Sequence, residues 1–241
     1  MRNRHSWFLT RVKRAIKDYD MIPRGAKILV SVSGGKDSIS LLYILFLLQH
    51  YSHLDFQLEA VHINLGWGEV DTGPLEALCT KLDVPLYLKS YPVASIIQKR
   101  GEKSPCALCA KLRSGIVNSI ALDVGAGLVA TGHHLDDVVE TFFLNMIFAG
   151  QLKTFLPKTY LSNTGLTLIR PLVYVTEKTL ASLREKEGLP LIHNPCPYNG
   201  NTKREEMKDL VSSITQRYPD FYDKFLTSLQ NVSFENLWKQ R

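Results

Sequence analysis

The sequence predicts an α/β fold, a doubly wound, mostly parallel sheet with helical appendages at its N- and C-terminal ends. Three observations carry this. Short β-rich runs alternate with helical runs along the chain, the pattern of a parallel sheet wrapped on both faces. The unusual glycines and histidines follow predicted strands, where such sheets bind ligands. The composition, 45% hydrophobic and 22% charged over 241 residues, is that of a globular domain and excludes disordered, collagen-like and coiled-coil chains.

The elements read in order as follows. Arg11 to Tyr19 is a helix that ends before Pro23. Residues 27–32 (Lys-Ile-Leu-Val-Ser-Val) form the first strand, 33–38 a glycine turn, and 39–51 an apolar helix. Residues 58–65 are a second strand, 66–74 a glycine-rich loop and 75–82 a helix. A third strand at 86–91 leads to a helix at 107–122, a fourth strand at 127–131 and a helix at 135–148. A fifth strand at 166–169, a helix at 176–187 and helical segments from Thr202, broken at Pro219, complete the chain. The longest apolar run, Ile39 to Leu48, is too short to span a bilayer, and no apolar stretch follows the basic N-terminus, so the expectation is a cytoplasmic protein with no membrane partner.

Charge is uneven. Arg2, Arg4, Arg11, Lys13, Arg14, Lys17 and Arg24 stand against Asp18 and Asp20 in the first 24 residues, which gives +5 of the chain's +6. A basic arm beside a nearly neutral body suits a polyanion such as RNA, or is a solvated helix face.

Ser33-Gly34-Gly35-Lys36-Asp37-Ser38 lies between a strand and a helix. Glycines let backbone approach a ligand, and the helix start offers unpaired N–H groups to an anion. Ser33 and Ser38 add hydroxyls and Lys36 a charge; Asp37 is a magnesium-binding or catalytic carboxylate, or a cap of the first helical turn. Two common phosphate motifs fail: Val30 and Asp37 break a Walker A loop, and Ser38 replaces the third glycine of the dinucleotide fingerprint.

Of the four cysteines, Cys79 sits at an apolar helix position and reads as core. Cys106 and Cys109 form a C-x-x-C at a helix start behind Pro105, where the helix N-terminus is expected to favour the thiolate. Cys196 lies between Pro195 and Pro197. Spacing alone leaves three readings open: a three-cysteine iron–sulfur cluster, zinc with His193 as fourth ligand, or a redox dithiol.

The Ser-Gly-Gly-Lys-Asp-Ser turn resembles the PP-loop of the ATP pyrophosphatase superfamily. The sequence around the cysteines narrows this: Cys106 to Gly115, then Ala130-Thr131-Gly132-His133-His134-Leu135-Asp136-Asp137, Phe143 to Met146, Pro157-Lys158, Ile169 to Leu172 and Leu229 to Val232. Over roughly residues 10–238 the chain resembles the tRNA 2-thiocytidine biosynthesis family.

That resemblance implies a Rossmann-like, adenine nucleotide alpha hydrolase-like PP-loop fold and an ATP-dependent tRNA sulfurtransferase. It implies a base in the anticodon loop adenylated at its C2 oxygen, with ATP, Mg²⁺ and a [4Fe-4S] cluster as cofactors. By position, Cys106, Cys109 and Cys196 are then cluster ligands, and with Asp37 and Asp137 they are the catalytic set. Ser33 to Ser38, His62, Asn64, Gly132 and His133 bind the nucleotide, with adenine near the end of the second strand. The implied partners are tRNA, a sulfur donor (a cysteine desulfurase or sulfide) and a second copy of the chain. His193 stands three residues before Cys196 where the family carries a cysteine pair, which keeps zinc in view. Thiolation of uridine is the alternative activity, although the C-x-x-C fingers of that branch are missing; a zinc-stabilised nucleotide-binding module without catalysis is a second alternative. The expected organisation is a basic helix at 1–24, the PP-loop domain at 25–188 and the Cys196 loop with C-terminal helices at 189–241.

Overall fold

The computed structural model describes residues 6–101, 104–198 and 203–238; Arg2 and Arg4 of the basic arm, and Thr202, lie outside the described residues. The elements are α1 (Ser6–Asp18), β1 (Ala26–Ser31), α2 (Lys36–Tyr51), β2 (Phe56–Asn64), α3 (Gly73–Leu82), β3 (Leu86–Ser90), α4 (Val93–Arg100), α5 (Pro105–Asp123), β4 (Leu128–Ala130), α6 (Leu135–Ala149), β5 (Lys158–Leu161), β6 (Leu166–Ile169), α7 (Glu177–Glu187), α8 (Lys203–Arg217) and α9 (Phe221–Gln230). No helix among the described residues is long and apolar enough to cross a membrane.

The chain divides into two compact units, residues 1–134 with 156–200, and residues 135–155 with 201–241. These cuts differ from the expected boundaries at 24 and 188. The Cys196 segment belongs to the sheet unit, and α6 belongs with the C-terminal helices.

The sheet unit holds strands in the order β3-β2-β1-β4-β6-β5. All neighbours are parallel except β5 and β6, which pair antiparallel. The chain steps outward from β1 to β2 and β3, then returns to place β4 on the other side of β1. That reversal opens a crevice at the carboxyl ends of β1 and β4, the position at which open α/β sheets bind ligands. Ile28, Leu29 and Val30 of β1 are fully buried, as a central parallel strand requires. Helix α2 buries Ile39, Leu41, Leu42, Ile44, Leu45 and Leu48 on almost every face, so it is a core helix rather than a surface one.

Two elements go beyond the sequence reading. Helix α4 buries Val93, Ala94 and Ile97 behind Pro92, a helical spacing too short to stand out. Strand β5 has no buried residue and exists by pairing with β6 across the turn at Thr164-Gly165. Helix α1 begins at Ser6, five residues earlier than expected, because Phe8 extends the buried stripe of Val12, Ala15 and Ile16. Its opposite face exposes Arg11, Lys13, Arg14 and Lys17. Arg11 donates to the Tyr174 carbonyl at 3.4 Å, and Arg14 meets Asp18 at 3.4 Å. Such solvent-exposed pairs are weak and leave the basic character of this face intact.

The second unit is helical. Arg204 of α8 pairs with Asp137 of α6 at 2.7 Å, and the Tyr222 hydroxyl of α9 donates to Asp136. Phe142 meets Phe225 edge-on at 5.2 Å, and Met207, Val211 and Phe225 are buried.

Candidate active site

The loop between β1 and α2 is held by its own side chains. Ser38, 5% exposed, donates to the Gly35 carbonyl at 2.9 Å and accepts from the Ser33 N–H at 3.1 Å. Its hydroxyl also lies 3.1 Å from that of Ser33. Ser38 therefore shapes the loop, whereas Ser33 is exposed at its mouth. Gly35 caps α2 in extended conformation with no side-chain cap, so the first-turn amides have no partner within the helix and face an anion.

The two glycines of the loop do different work. Gly34 has φ +92°, and a Cβ there would fall 2.6 Å from Ile192 Cβ. The Ile192 N–H donates to the Gly34 carbonyl at 2.9 Å, so the segment after α7 straps across the loop. A Cβ on Gly35, by contrast, meets only Ser33 Oγ at 3.7 Å. Gly34→Ala is therefore expected to destabilise the protein by about 1–3 kcal/mol through backbone strain and overpacking, and to abolish ATP binding. Gly35→Ala is expected to melt as the wild type does while weakening ATP, because the added Cβ would stand in the open mouth of the loop. Thermal melts and ATP titrations of both variants separate the two roles.

Gly132 also has a packing role. A Cβ there would lie 2.9 Å from the Ser38 amide nitrogen and 3.0 Å from Asp37 C. The missing side chain thus lets the loop after β4 press against the first turn of α2, which locks the two sides of the crevice together.

This contact brings His134 to Asp37. His134 Nε2 is 3.7 Å from Asp37 Oδ2, and Lys36 Nζ is 3.5 Å from the same oxygen. Lys36 also pairs with Glu177 at the start of α7, 2.7 Å away. Burial pushes the Asp37 carboxyl up, but His134 and Lys36 outweigh it and hold it below its ordinary 3.8. Burial likewise opposes the Lys36 ammonium, yet Glu177 and Asp37 hold it above 10.5. Both groups are thus kept charged. Asp37 Oδ1 is buried without a hydrogen-bond partner among the described residues. A buried carboxylate oxygen with no donor is suited to a cation.

The strap carries the third cysteine. Ile192 lies on Gly34, and a Cβ on Gly68, in the loop after β2, would fall 3.1 Å from Pro195 Cγ. Cys196 follows, half-buried like Cys109; Cys106 is exposed. Cys106 and Cys196 both act on Cys109 through their charge. Burial, with those two charges, pushes the Cys109 thiol up, and Arg113 pulls against it. The lowered thiol expected from the helix N-terminus is therefore overturned at Cys109, whose half-buried sulfur favours the neutral form until a cation arrives. Among the described residues, no three His, Cys, Asp or Glu side chains close around one point as ligands of a single metal ion. Three soft sulfur donors are the ligand set that iron–sulfur clusters take.

A family model described as a PP-loop domain matches residues 6–212. The chain is 35% identical over 229 residues to the tRNA-cytidine(32) 2-sulfurtransferase of Nitrosomonas eutropha, covering 94% of this chain and 73% of that protein. It is 37% identical over 233 residues to the Burkholderia mallei protein of the same name, covering 95% of this chain and 70% of that one. The chain belongs to the tRNA 2-thiocytidine biosynthesis family. Among solved structures, the U34-tRNA thiolase NcsA from Methanococcus maripaludis, determined with its [4Fe-4S] cluster, superposes with a TM-score of 0.75 at 23% identity, over 94% of this chain and 80% of that one. At that identity the likeness shows a shared fold.

Placed on this family's fold, the remaining expected residues divide. His62 is 3% exposed and hydrogen-bonds through Nδ1 to the Val32 carbonyl at 2.9 Å, so it braces the strand end from which the PP-loop starts. Asn64 accepts from the Gly66 N–H at 2.8 Å and shapes the next loop. His133 Nδ1 lies 3.0 Å from Thr131 Oγ1. Asp137 lies in the helical unit, engaged by Arg204, while every other expected site residue lies in the sheet unit. Sequence reasoning missed Ile192, Glu177 and His134's pairing with Asp37. Only Thr176, whose side chain caps α7 from the Thr179 N–H, marked that a helix would start beside Lys36.

Proposed function

We propose that the protein is an ATP-dependent tRNA sulfurtransferase that converts a cytidine of the anticodon loop to 2-thiocytidine. The observation that carries this reading is the strap: one continuous segment touches the PP-loop at Gly34 through Ile192, meets the loop after β2 at Gly68 through Pro195, and carries Cys196. Adenylation and sulfur chemistry thus share one end of one sheet.

The chain's residues act as follows. The amides at the start of α2 and the Lys36 ammonium receive the β and γ phosphates and stabilise the charge of departing pyrophosphate. Asp37, held ionised by His134 and Lys36 and with its buried Oδ1 lacking a donor, would hold Mg²⁺, which would help neutralise the departing pyrophosphate. The C2 oxygen of the base attacks the α phosphorus and the bond to pyrophosphate breaks. Sulfide then attacks C2, the C2–O bond breaks, and AMP leaves with that oxygen as the sulfur loses its proton. Cys106, Cys109 and Cys196 would hold a [4Fe-4S] cluster, which would supply a binding place for the incoming sulfur. The exposed cations of α1 meet tRNA phosphates. The sulfur donor is sulfide itself or a cysteine desulfurase, the working form is a homodimer, and the setting is the cytoplasm.

Anaerobically purified protein is expected to be brown, with iron and acid-labile sulfide in equal amounts. Given ATP, Mg²⁺, sulfide and unmodified tRNA, it is expected to yield 2-thiocytidine in digested nucleosides. Colourless protein with one zinc per chain would remove the cluster; 2-thiouridine as the product would change the substrate.

A further inference from the structure

Trp67 has no part in the chemistry above. It sits in the loop after β2, half-buried against the same apolar cluster as Cys109 and Leu108. Its indole N–H is buried and has no hydrogen-bond partner among the described residues. A buried donor left in this state costs stability unless a bound group answers it. Tyr198 meets the indole edge-on, with ring centroids 5.5 Å apart and planes at 74°. Cys196 lies two residues before Tyr198, and Gly68, next to Trp67, presses on Pro195. The aromatic pair therefore stands beside a thiol of the triad, on the strap that leads to the PP-loop.

A base that is to be attacked at C2 must leave its stack to reach that place, and enzymes receive such bases with an aromatic face and donors to the base edge. Trp67 offers both a face and a donor. We infer that Trp67 and Tyr198 form the wall on which the target pyrimidine stacks, with the Trp67 indole N–H donating to an acceptor on the base edge. This rests on the proposed function for the identity of the base. The adenine of ATP shares the planar chemistry, but the place of the pair beside Cys196 favours the RNA base.

The test uses the full chain with Trp7 and Trp238 replaced by Phe, so that Trp67 is the one tryptophan left of three. Its fluorescence is followed as unmodified tRNA is added, and binding is followed separately by anisotropy of labelled tRNA. A second tRNA lacks only the base at the target cytidine. Quenching is expected with the first tRNA and not the second, although both bind, and ATP alone is expected to change nothing. Trp67→Ala is expected to raise the KM for tRNA about tenfold, the size of one lost base–aromatic stack, and to leave the KM for ATP unchanged, with Trp67→Phe restoring most of the loss. Equal quenching by the abasic tRNA, quenching by ATP alone, or bound tRNA with an unchanged signal would each overturn the inference while the proposed function stands. Absence of tRNA binding would remove both.

Discussion

Cys196→Ala is expected to abolish 2-thiocytidine formation while leaving ATP binding and the melting temperature near those of the wild type. Cys196 is half-buried, so losing its sulfur creates little cavity, and the strap's contact with the PP-loop is made by Ile192, four residues upstream. Its loss removes one of three thiols whose charges meet at Cys109, and two thiols from one helix turn cannot replace it. Cys106→Ala is expected to behave the same way. Cys79→Ala supplies the contrast. Cys79 is 2% exposed, and burial pushes its thiol up to about 11, which marks an inert core group. Its replacement is expected to cost stability through a small cavity, about 1 kcal/mol or more, and to spare thiolation. Nucleoside analysis and iron content of the three variants distinguish site thiols from a core thiol.

Asp37→Asn is the second large effect expected. The carboxylate is the most constrained charge of the loop, fixed by His134 and Lys36 with one oxygen left for a cation. The amide keeps the shape and loses the charge. Pyrophosphate release with tRNA is expected to fall by roughly 10²–10³-fold, as when one pre-placed electrostatic group is lost. The pH dependence carries the same signature. Because Asp37 is held below 3.8 in the folded chain, the stability it contributes is present above pH 3.8 and is lost as the pH falls through its folded value. Acid melts of the Asn variant are expected to lack this part of the loss.

The alternation of strands and helices, the glycine turn after β1 and the three chemically distinctive cysteines were legible because each is a local pattern. Strand β5 was not, since four residues with none buried gain their identity from β6 alone. The strap was not, because Ile192 reads as one apolar residue in a proline-bounded loop, and its partner Gly34 reads as a ligand-binding glycine. Gly132 shows the same limit: the residue was identified as part of the site, but the backbone it approaches is that of Asp37 and Ser38. Asp137 reads as a site residue from sequence, and what the sequence did not show is that Arg204 pairs with it and Tyr222 donates to its neighbour Asp136, from helices about 70 to 90 residues away.

The central claim is that the base oxygen activated on the PP-loop is the oxygen that sulfur displaces. It is tested most directly with tRNA carrying ¹⁸O at C2 of the target cytidine, in a single reaction with ATP and sulfide. Mass analysis of the released AMP is expected to find the label in its phosphate, in an amount equal to the 2-thiocytidine formed. Unlabelled AMP accompanying 2-thiocytidine would mean that ATP activates some other group, and the mechanism built on Gly34, Asp37 and Cys196 would be wrong.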